Sequence, residues 1–229
     1  EAKNLQFLLS RKVDGILVFA VSLDGTFLEA AKKSEVPVVL LDRAFRNKEF
    51  DCIEIDNRTA MLRAANKLIR RGHRRIALVA SDIEYTGMER MKGFEDALED
   101  AGITVPEAYL VSGRHSFELG YQGVKKLLKL PEPPTAVILS NYDTTLGGIM
   151  AVNEAGISCP GDISIIGFDD LLMSKVIRPK LWIISQPMEE MSKKAVELLL
   201  KRITHEEEGS PLRISFSAVI REGDSIRKL

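Results

Sequence analysis

The sequence predicts an α/β protein built on parallel sheets with helices on both faces. Three observations predict it. Short continuous runs of Val, Ile and Leu recur along the chain, as strands buried on both faces require. Between them lie segments whose apolar residues repeat at helical spacing. Polar residues cluster just past the apolar runs, at the carboxyl edge where open α/β sheets bind ligands.

The chain opens inside a helical pattern. Residues 13–19 read as a buried strand, followed by a helix over about 25–34. Residues 36–41 form the next strand and end on Asp42-Arg43; 52–55 form a short one. Asp56-Asn57 then offer an N-cap to a long helix over 58–71, with Met61, Ala64, Ala65, Leu68 and Ile69 on one face and Gly72 as its stop. Strands follow at 76–80, 109–111, 136–140 and 163–167, with helices at 89–101, 117–130 and 144–155 between them. The pattern loosens over 181–185. Pro187 opens a helix to about residue 204, and 214–221 alternates like a final strand.

Five strand ends carry the interest: Phe19-Ala20, Asp42-Arg43, Ser81-Asp82, Ser140-Asn141 and Phe168-Asp169-Asp170. Two carboxylates close the apolar run ISIIGFDD. They read either as solvated turn acids or as a binding site.

Composition narrows the class. The 229 residues carry a formal net charge of −1, whereas a domain that grips nucleic acid by its own surface is strongly basic. Cys52 and Cys159 stand far apart with no CxxC, which fits a reducing compartment. No run approaches the roughly 20 apolar residues of a membrane helix. No GxSxG, HExxH or phosphate-loop motif occurs, and His73, His115 and His205 lack metal-ligand spacing. The expectation is a protein without metal, cofactor or catalytic residues.

Several residues admit two readings. The block RRGHRR at 70–75 resembles a nucleic-acid patch, but a helix C-terminus with cations opposing the dipole accounts for it better. Arg90, placed near the start of the 89–101 helix, opposes the dipole there and reads as a ligand donor or as a salt bridge to an acid such as Asp169. His115 reads as a cleft residue or, more simply, as a surface loop histidine. Trp182 reads as packing before ligand contact.

The chain resembles the effector-binding domain of the lactose-repressor family of bacterial transcription regulators. The likeness runs through VDGILV at 13–18, PVVLLDR at 37–43, IEIDN at 53–57, LIRRGHRRIALVAS at 68–81 and RMKGFEDALEDAG at 90–102. It continues through NYDTTLGGIMAVNEAGISCPGDISIIGFDD at 141–170 and ISQP at 184–187. The resemblance implies a periplasmic-binding-protein type I fold. Two doubly wound parallel-sheet subdomains would be joined by three crossovers, at 1–55 plus 186–210 and at 56–185 plus 211–229, with the effector between them. It implies ligand-binding roles for Arg90, Asp169, Asn141 and Asp42, with Gln186 at a crossover touching ligand or hinge. Asn141 would accept from ligand hydroxyls as Asp169 does. His115 falls where relatives place an aromatic ring, and Glu84 where some place a cation for an anionic effector. Phe19, at its strand end, completes the set. Tyr142 stands where several members carry Asp.

The resemblance further implies a cytoplasmic homodimer that senses a sugar-like effector and reaches operator DNA through an N-terminal head. Neither that head nor the first strand, helix and second strand of the family pattern is in this sequence. The expectation is therefore a protein that continues upstream, or a first subdomain that is incomplete. The rival readings are a periplasmic sugar-binding protein of a transporter and an enzyme on the same fold with Asp169 and Arg90 as acid–base partners.

Overall fold

A computed structural model describes residues 1–23, 25–45, 49–170 and 176–229. The chain divides into two compact units, one of Glu1–Asp56 with Pro187–Ser217, the other of Asn57–Gln186 with Ala218–Leu229. It passes from one to the other after Asp56, after Gln186 and after Ser217.

The first unit holds a parallel sheet of β1 (Ile16–Val18), β2 (Val38–Leu41), β3 (Asp51–Ile55) and β9 (Arg213–Phe216), in that order. α1 (Ala2–Ser10) and the short α2 (Glu29–Lys33), preceded by a 3-10 turn at Thr26–Leu28, accompany it. α7 (Met188–Ile203) buries Met191, Ala195 and Leu198, one stripe at helical spacing, and packs on β2 and β3. A Cβ on Gly15 would come within 2.9 Å of Leu199 and Ile203, so the loop before β1 passes hard against this helix. Arg202 at the end of α7 grips Asp51 at the start of β3 with two bonds of 2.8 and 2.9 Å, an arrangement that fixes the helix to the strand in register. β1 is an edge strand among the described residues. Beside it lies a groove of about 190 Å³ lined by Leu5, Leu8, Phe19 and Phe27.

The second unit holds a six-stranded sheet, ordered β10 (Val219–Arg221), β8 (Trp182–Ser185), β7 (Ser164–Phe168), β6 (Ala136–Leu139), β4 (Ile76–Ala80) and β5 (Leu110–Ser112). Every pairing is parallel except β10 with β8. Its helices pack in pairs. α3 (Asn57–Ile69) meets α4 (Tyr85–Asp100), and α5 (Phe117–Leu128) meets α6 (Tyr142–Glu154). Glycines let the backbones touch: a Cβ on Gly93 would lie 2.0 Å from Arg58 O, and one on Gly147 2.0 Å from Phe117 O. The core between helices and sheet is Ala77, Val79, Val137, Leu139 and Ile165, all essentially inaccessible.

Three expectations are corrected. The alternating stretch 214–221 is two strands, because the chain changes unit after Ser217. Residues 211–217 therefore belong with the first unit, where β9 pairs with β3. The loose stretch 181–185 is a buried strand hydrogen-bonded to β7. α4 begins at Tyr85, so Arg90 sits in its second turn and the dipole argument for that residue fails. RRGHRR is the end of α3 and more: Gly72 adopts φ +93°, and the C-terminal Leu229 N–H bonds Arg71 O across it. His73 is fully buried, with Nε2 donating to Arg227 O at 3.2 Å and Nδ1 beside the Thr135 hydroxyl at 2.9 Å. Burial, chiefly, holds its pKa below the ordinary imidazole value; the charges of Arg227 and Arg71 act the same way, and the bond to Arg227 O partly opposes them.

Candidate functional site

The candidate residues fall at the carboxyl edges of the two sheets. In the first unit, Asp42 follows β2 with φ +72° while its N–H still bonds Ile53 O at 2.8 Å. A non-glycine residue held in the left-handed region directly after a strand aims its side chain off the end of the sheet. Arg43 lies 3.7 Å from its carboxylate and reaches Ala20 O at 3.4 Å. Phe19, past β1, is 61% exposed and lines the apolar groove by α1.

In the second unit, Asp169 follows β7 in the same way. Its φ is +65°, its N–H bonds Ile184 O at 2.8 Å, and its Oδ1 accepts from Gln186 Nε2 at 2.7 Å. Gln186 Oε1 is buried with no hydrogen-bond partner among the described residues. Asp170 is separate, with Oδ2 accepting from Arg221 at 2.7 Å. Its side chain is buried, so it is a paired structural acid.

Asn141 caps α6. Its Oδ1 accepts from Thr144 N at 2.8 Å and Thr144 Oγ1 accepts from its N–H at 3.1 Å. The cap therefore fixes the side-chain carbonyl inward and leaves the amide NH₂ as the group to offer a ligand.

Arg90 is only 3% exposed and faces inward. Nε donates to Asn57 Oδ1 at 2.7 Å, Nη1 donates to Ser140 O at 2.6 Å, and the guanidinium lies 3.6 Å from the Phe168 ring centroid. It ties the start of α3, the end of β6 and the end of β7 to one point, which shapes the edge whatever else it touches.

His115 and Glu84 meet directly through Nδ1 and Oε2, with both side chains almost buried. His115 Nε2 takes the Ser81 N–H at 3.2 Å and lies 3.0 Å from Ser140 Oγ. A backbone N–H can only donate, so Nε2 accepts from Ser81, and Nδ1 is the ring nitrogen that lies against Glu84. His115 thus lies in the loop after β5 but is not a surface side chain; it links the ends of β4, β5 and β6. Ser81, Ser140, Asn57 and Phe168 complete this edge. The serines were visible as strand ends, but nothing in the sequence signalled that they would hold His115.

Among the described residues no group of His, Cys, Asp and Glu is arranged to hold a metal ion, and no helix is long and apolar enough to cross a membrane. Burial pushes the Cys52 thiol up to about 12 and the Cys159 thiol up to about 11, so neither is a thiolate nucleophile at neutral pH.

Two parallel-sheet units, threaded three times by one chain and carrying polar strand ends, define a periplasmic-binding-protein-like fold. A family model described as a periplasmic binding protein-like domain matches residues 65–226. The chain is 33% identical over 223 residues to catabolite control protein A of Priestia megaterium, a match covering 94% of this chain and 67% of that protein. It is 31% identical over 226 residues to the HTH-type transcriptional repressor CytR of Escherichia coli K12, covering 98% and 66%. A LacI-family transcriptional regulator from Enterococcus faecium, solved with bound ribose, superposes with a TM-score of 0.88 at 29% identity, covering 97% of this chain and 83% of that one. The chain belongs to the lactose-repressor family and corresponds to its effector-binding region. It spans about two thirds of the length of the curated relatives it matches.

Proposed function

We propose that this chain is the effector-sensing part of a cytoplasmic transcription regulator, acting by binding rather than by turnover. The observation that carries the reading is the pair at the ends of β6 and β7. Asp169 is an acceptor whose one partner among the described residues is an exchangeable side-chain amide, and Asn141 offers a fixed donor one strand away. Acceptor and donor at that spacing suit neighbouring hydroxyls of a sugar-like ligand. Asp42 is the corresponding strand-end carboxylate of the other unit. An effector that binds one arrangement of the units better than another shifts their equilibrium by its differential affinity. That shift would reach operator DNA through a head of the kind the named repressors carry.

The partner in solution is, on this reading, a second copy. Leu146 and Met150 recur one turn apart on the exposed face of α6, beside Phe117, which stacks on Tyr121 with centroids 6.0 Å apart. Such a stripe suits a self-complementary interface.

A thermal-shift screen of neutral sugars and nucleosides tests the function. A true effector at about 100 times its Kd adds about 2.7 kcal/mol of stability. Stabilisation by a sugar that Asp169→Asn abolishes supports the reading. A sugar converted to product overturns it in favour of an enzyme.

A further inference from the structure

We infer that Thr145 is a positioning residue of the effector site: its hydroxyl locks the ends of β6 and β7 in one register and so sets the spacing between Asn141 and Asp169. The inference rests on the reading of this edge as a polyol sensor and deepens it by naming what fixes the distance from donor to acceptor.

The parallel ladder between β6 and β7 is paired as far as Ile138 with Ile166. Beyond it the strands part. β6 turns into α6 through Asn141, and β7 runs on to Phe168 and Asp169. Thr145, fully buried near the start of α6, spans this opening. Its Oγ1 donates to Asn141 O at 2.6 Å, accepts from Phe168 N–H at 3.2 Å and lies 3.4 Å from Leu139 O. A hydroxyl has one proton and two lone pairs, so a single oxygen can serve both strand ends at once. The Thr145 N–H also goes to Asn141 O, at 2.9 Å. The path from the donor residue to the residue before the acceptor thus runs through one side-chain atom.

The neighbouring threonine has a different task. Thr144 N–H donates to Asn141 Oδ1 at 2.8 Å, and Thr144 Oγ1 accepts from Asn141 N–H at 3.1 Å. Thr144 orients the Asn141 side chain; Thr145 carries that position across to β7. Gly167 makes room for the contact, because a Cβ there would lie 2.7 Å from Thr145 Cγ2 and 3.3 Å from Oγ1. The methyl and the hydroxyl of Thr145 are therefore both held, on a side chain already stiff at χ1. Phe168 is pinned a second time by the Arg90 guanidinium, 3.6 Å from its ring centroid. Asp169 follows at positive φ with its N–H on Ile184 O, so its carboxylate has little freedom to absorb a shift of Phe168.

A polyol is recognised by where its hydroxyls point. With the register locked, Asn141 and Asp169 fit one relative orientation of neighbouring hydroxyls, and inverting one carbon moves a hydroxyl off its partner. With the register loosened, the edge still meets a polyol but tells epimers apart poorly.

Epimer pairs on the purified chain test this by calorimetry: glucose with galactose, glucose with mannose, ribose with arabinose. The quantity read is the ratio of dissociation constants within the pair whose better member binds. Thr145→Val, which keeps shape and removes the hydroxyl, should weaken the better member about tenfold and shrink the ratio about fivefold. Thr145→Ser, which keeps the hydroxyl without the methyl, should stay within about threefold of the parent in both. A merely structural tie would weaken both epimers together, so a ratio left unchanged by Thr145→Val overturns the inference. A ligand-free measurement separates it from the sensor reading. NMR relaxation dispersion at the Asn141 side-chain NH₂ and the Asp169 N–H should rise together in Thr145→Val and return to the parent level in Thr145→Ser. Profiles that stay at the parent level in Thr145→Val overturn the positioning role even where a sugar binds. If no sugar of the set binds at about 10 mM, the polyol reading falls, and the dispersion profiles alone decide whether Thr145 sets the register.

Discussion

The two units end a strand in the same way and then use it differently. Asp42 after β2 and Asp169 after β7 both sit at positive φ, +72° and +65°. Each donates its N–H to the carbonyl of the next parallel strand, Ile53 and Ile184, at 2.8 Å. Backbone and side-chain type repeat; the surroundings do not. Asp42 lies beside a cation, Arg43 at 3.7 Å. Asp169 takes a neutral amide from Gln186, the last residue before the chain changes unit. The difference separates two jobs for one motif. An aspartate beside arginine is partly neutralised in place, while one held by an amide keeps its charge and can exchange that partner for a ligand hydroxyl.

The largest expected effect tests whether the second unit's edge is built before any ligand arrives. Arg90→Met removes the donor shared by Asn57 Oδ1 and Ser140 O and leaves both acceptors buried. It should destabilise that unit by about 2–4 kcal/mol. Urea unfolding with a probe in each unit would show the loss at Trp182 and none at a label on α7. An unchanged Trp182 transition would mean that Arg90 is an ordinary ligand contact.

Next comes the pair of aspartates. Asp169→Asn removes a charge-assisted acceptor, worth about 1.5–3 kcal/mol, so effector affinity should fall by roughly one to two orders of magnitude. Asp42→Asn should cost several-fold less, because Arg43 already offsets the charge it removes. Equal losses would erase the distinction between the two units. Gln186→Leu should raise affinity several-fold, since it removes the amide that competes for Asp169. A fall would make Gln186 a ligand contact in its own right.

His73 gives the second unit a pH dependence carried by a buried histidine. Its pKa in the folded protein lies below the unfolded value of about 6.5, so the unfolded chain binds the extra proton more readily. The stability this neutral histidine contributes is present above about pH 6.5 and is lost as the pH falls through the lowered folded value. The second unit should therefore lose stability between pH 7 and 5 beyond the change seen in a His73→Gln variant. Parallel slopes for parent and variant would remove His73 as the cause.

Much of the fold was legible in the sequence, and the misses have physical causes. Continuous Val/Ile/Leu runs located seven strands because burial on both faces needs them. The start of α4 was hidden by Gly87, a poor helix former that is required there. A Cβ at that position would lie 2.3 Å from Ser81 O. β8 was hidden because four residues after a proline-containing loop carry no period. β9 and β10 merged because alternation continues while the chain changes unit. The site was legible as strand ends but not as pairs. Glu84 with His115, Asp169 with Gln186 and Arg90 with Asn57 each join residues well separated along the chain. Those pairings follow from strand order, which no local pattern encodes.

The smallest expected effect bears most directly on the repeated motif. An L-residue in the left-handed region pays a conformational penalty that glycine avoids, reduced for aspartate by its local hydrogen bonding. If Asp42 and Asp169 are held there for the sake of their carboxylates, glycine at either position should stabilise its unit slightly, by about 0.5 kcal/mol or less once its greater unfolded-state entropy is counted. At Asp169 that gain is opposed by the lost bond from Gln186; at Asp42 the lost neighbour is the more weakly placed Arg43. Asp42→Gly should therefore come out stabilising and Asp169→Gly close to neutral, while both lose effector affinity. Paired denaturation and calorimetry on the two variants measure both quantities. Destabilisation by more than about 1 kcal/mol at both positions would show that the aspartates hold the sheet edges together, and the strained backbone would then belong to folding and not to the ligand.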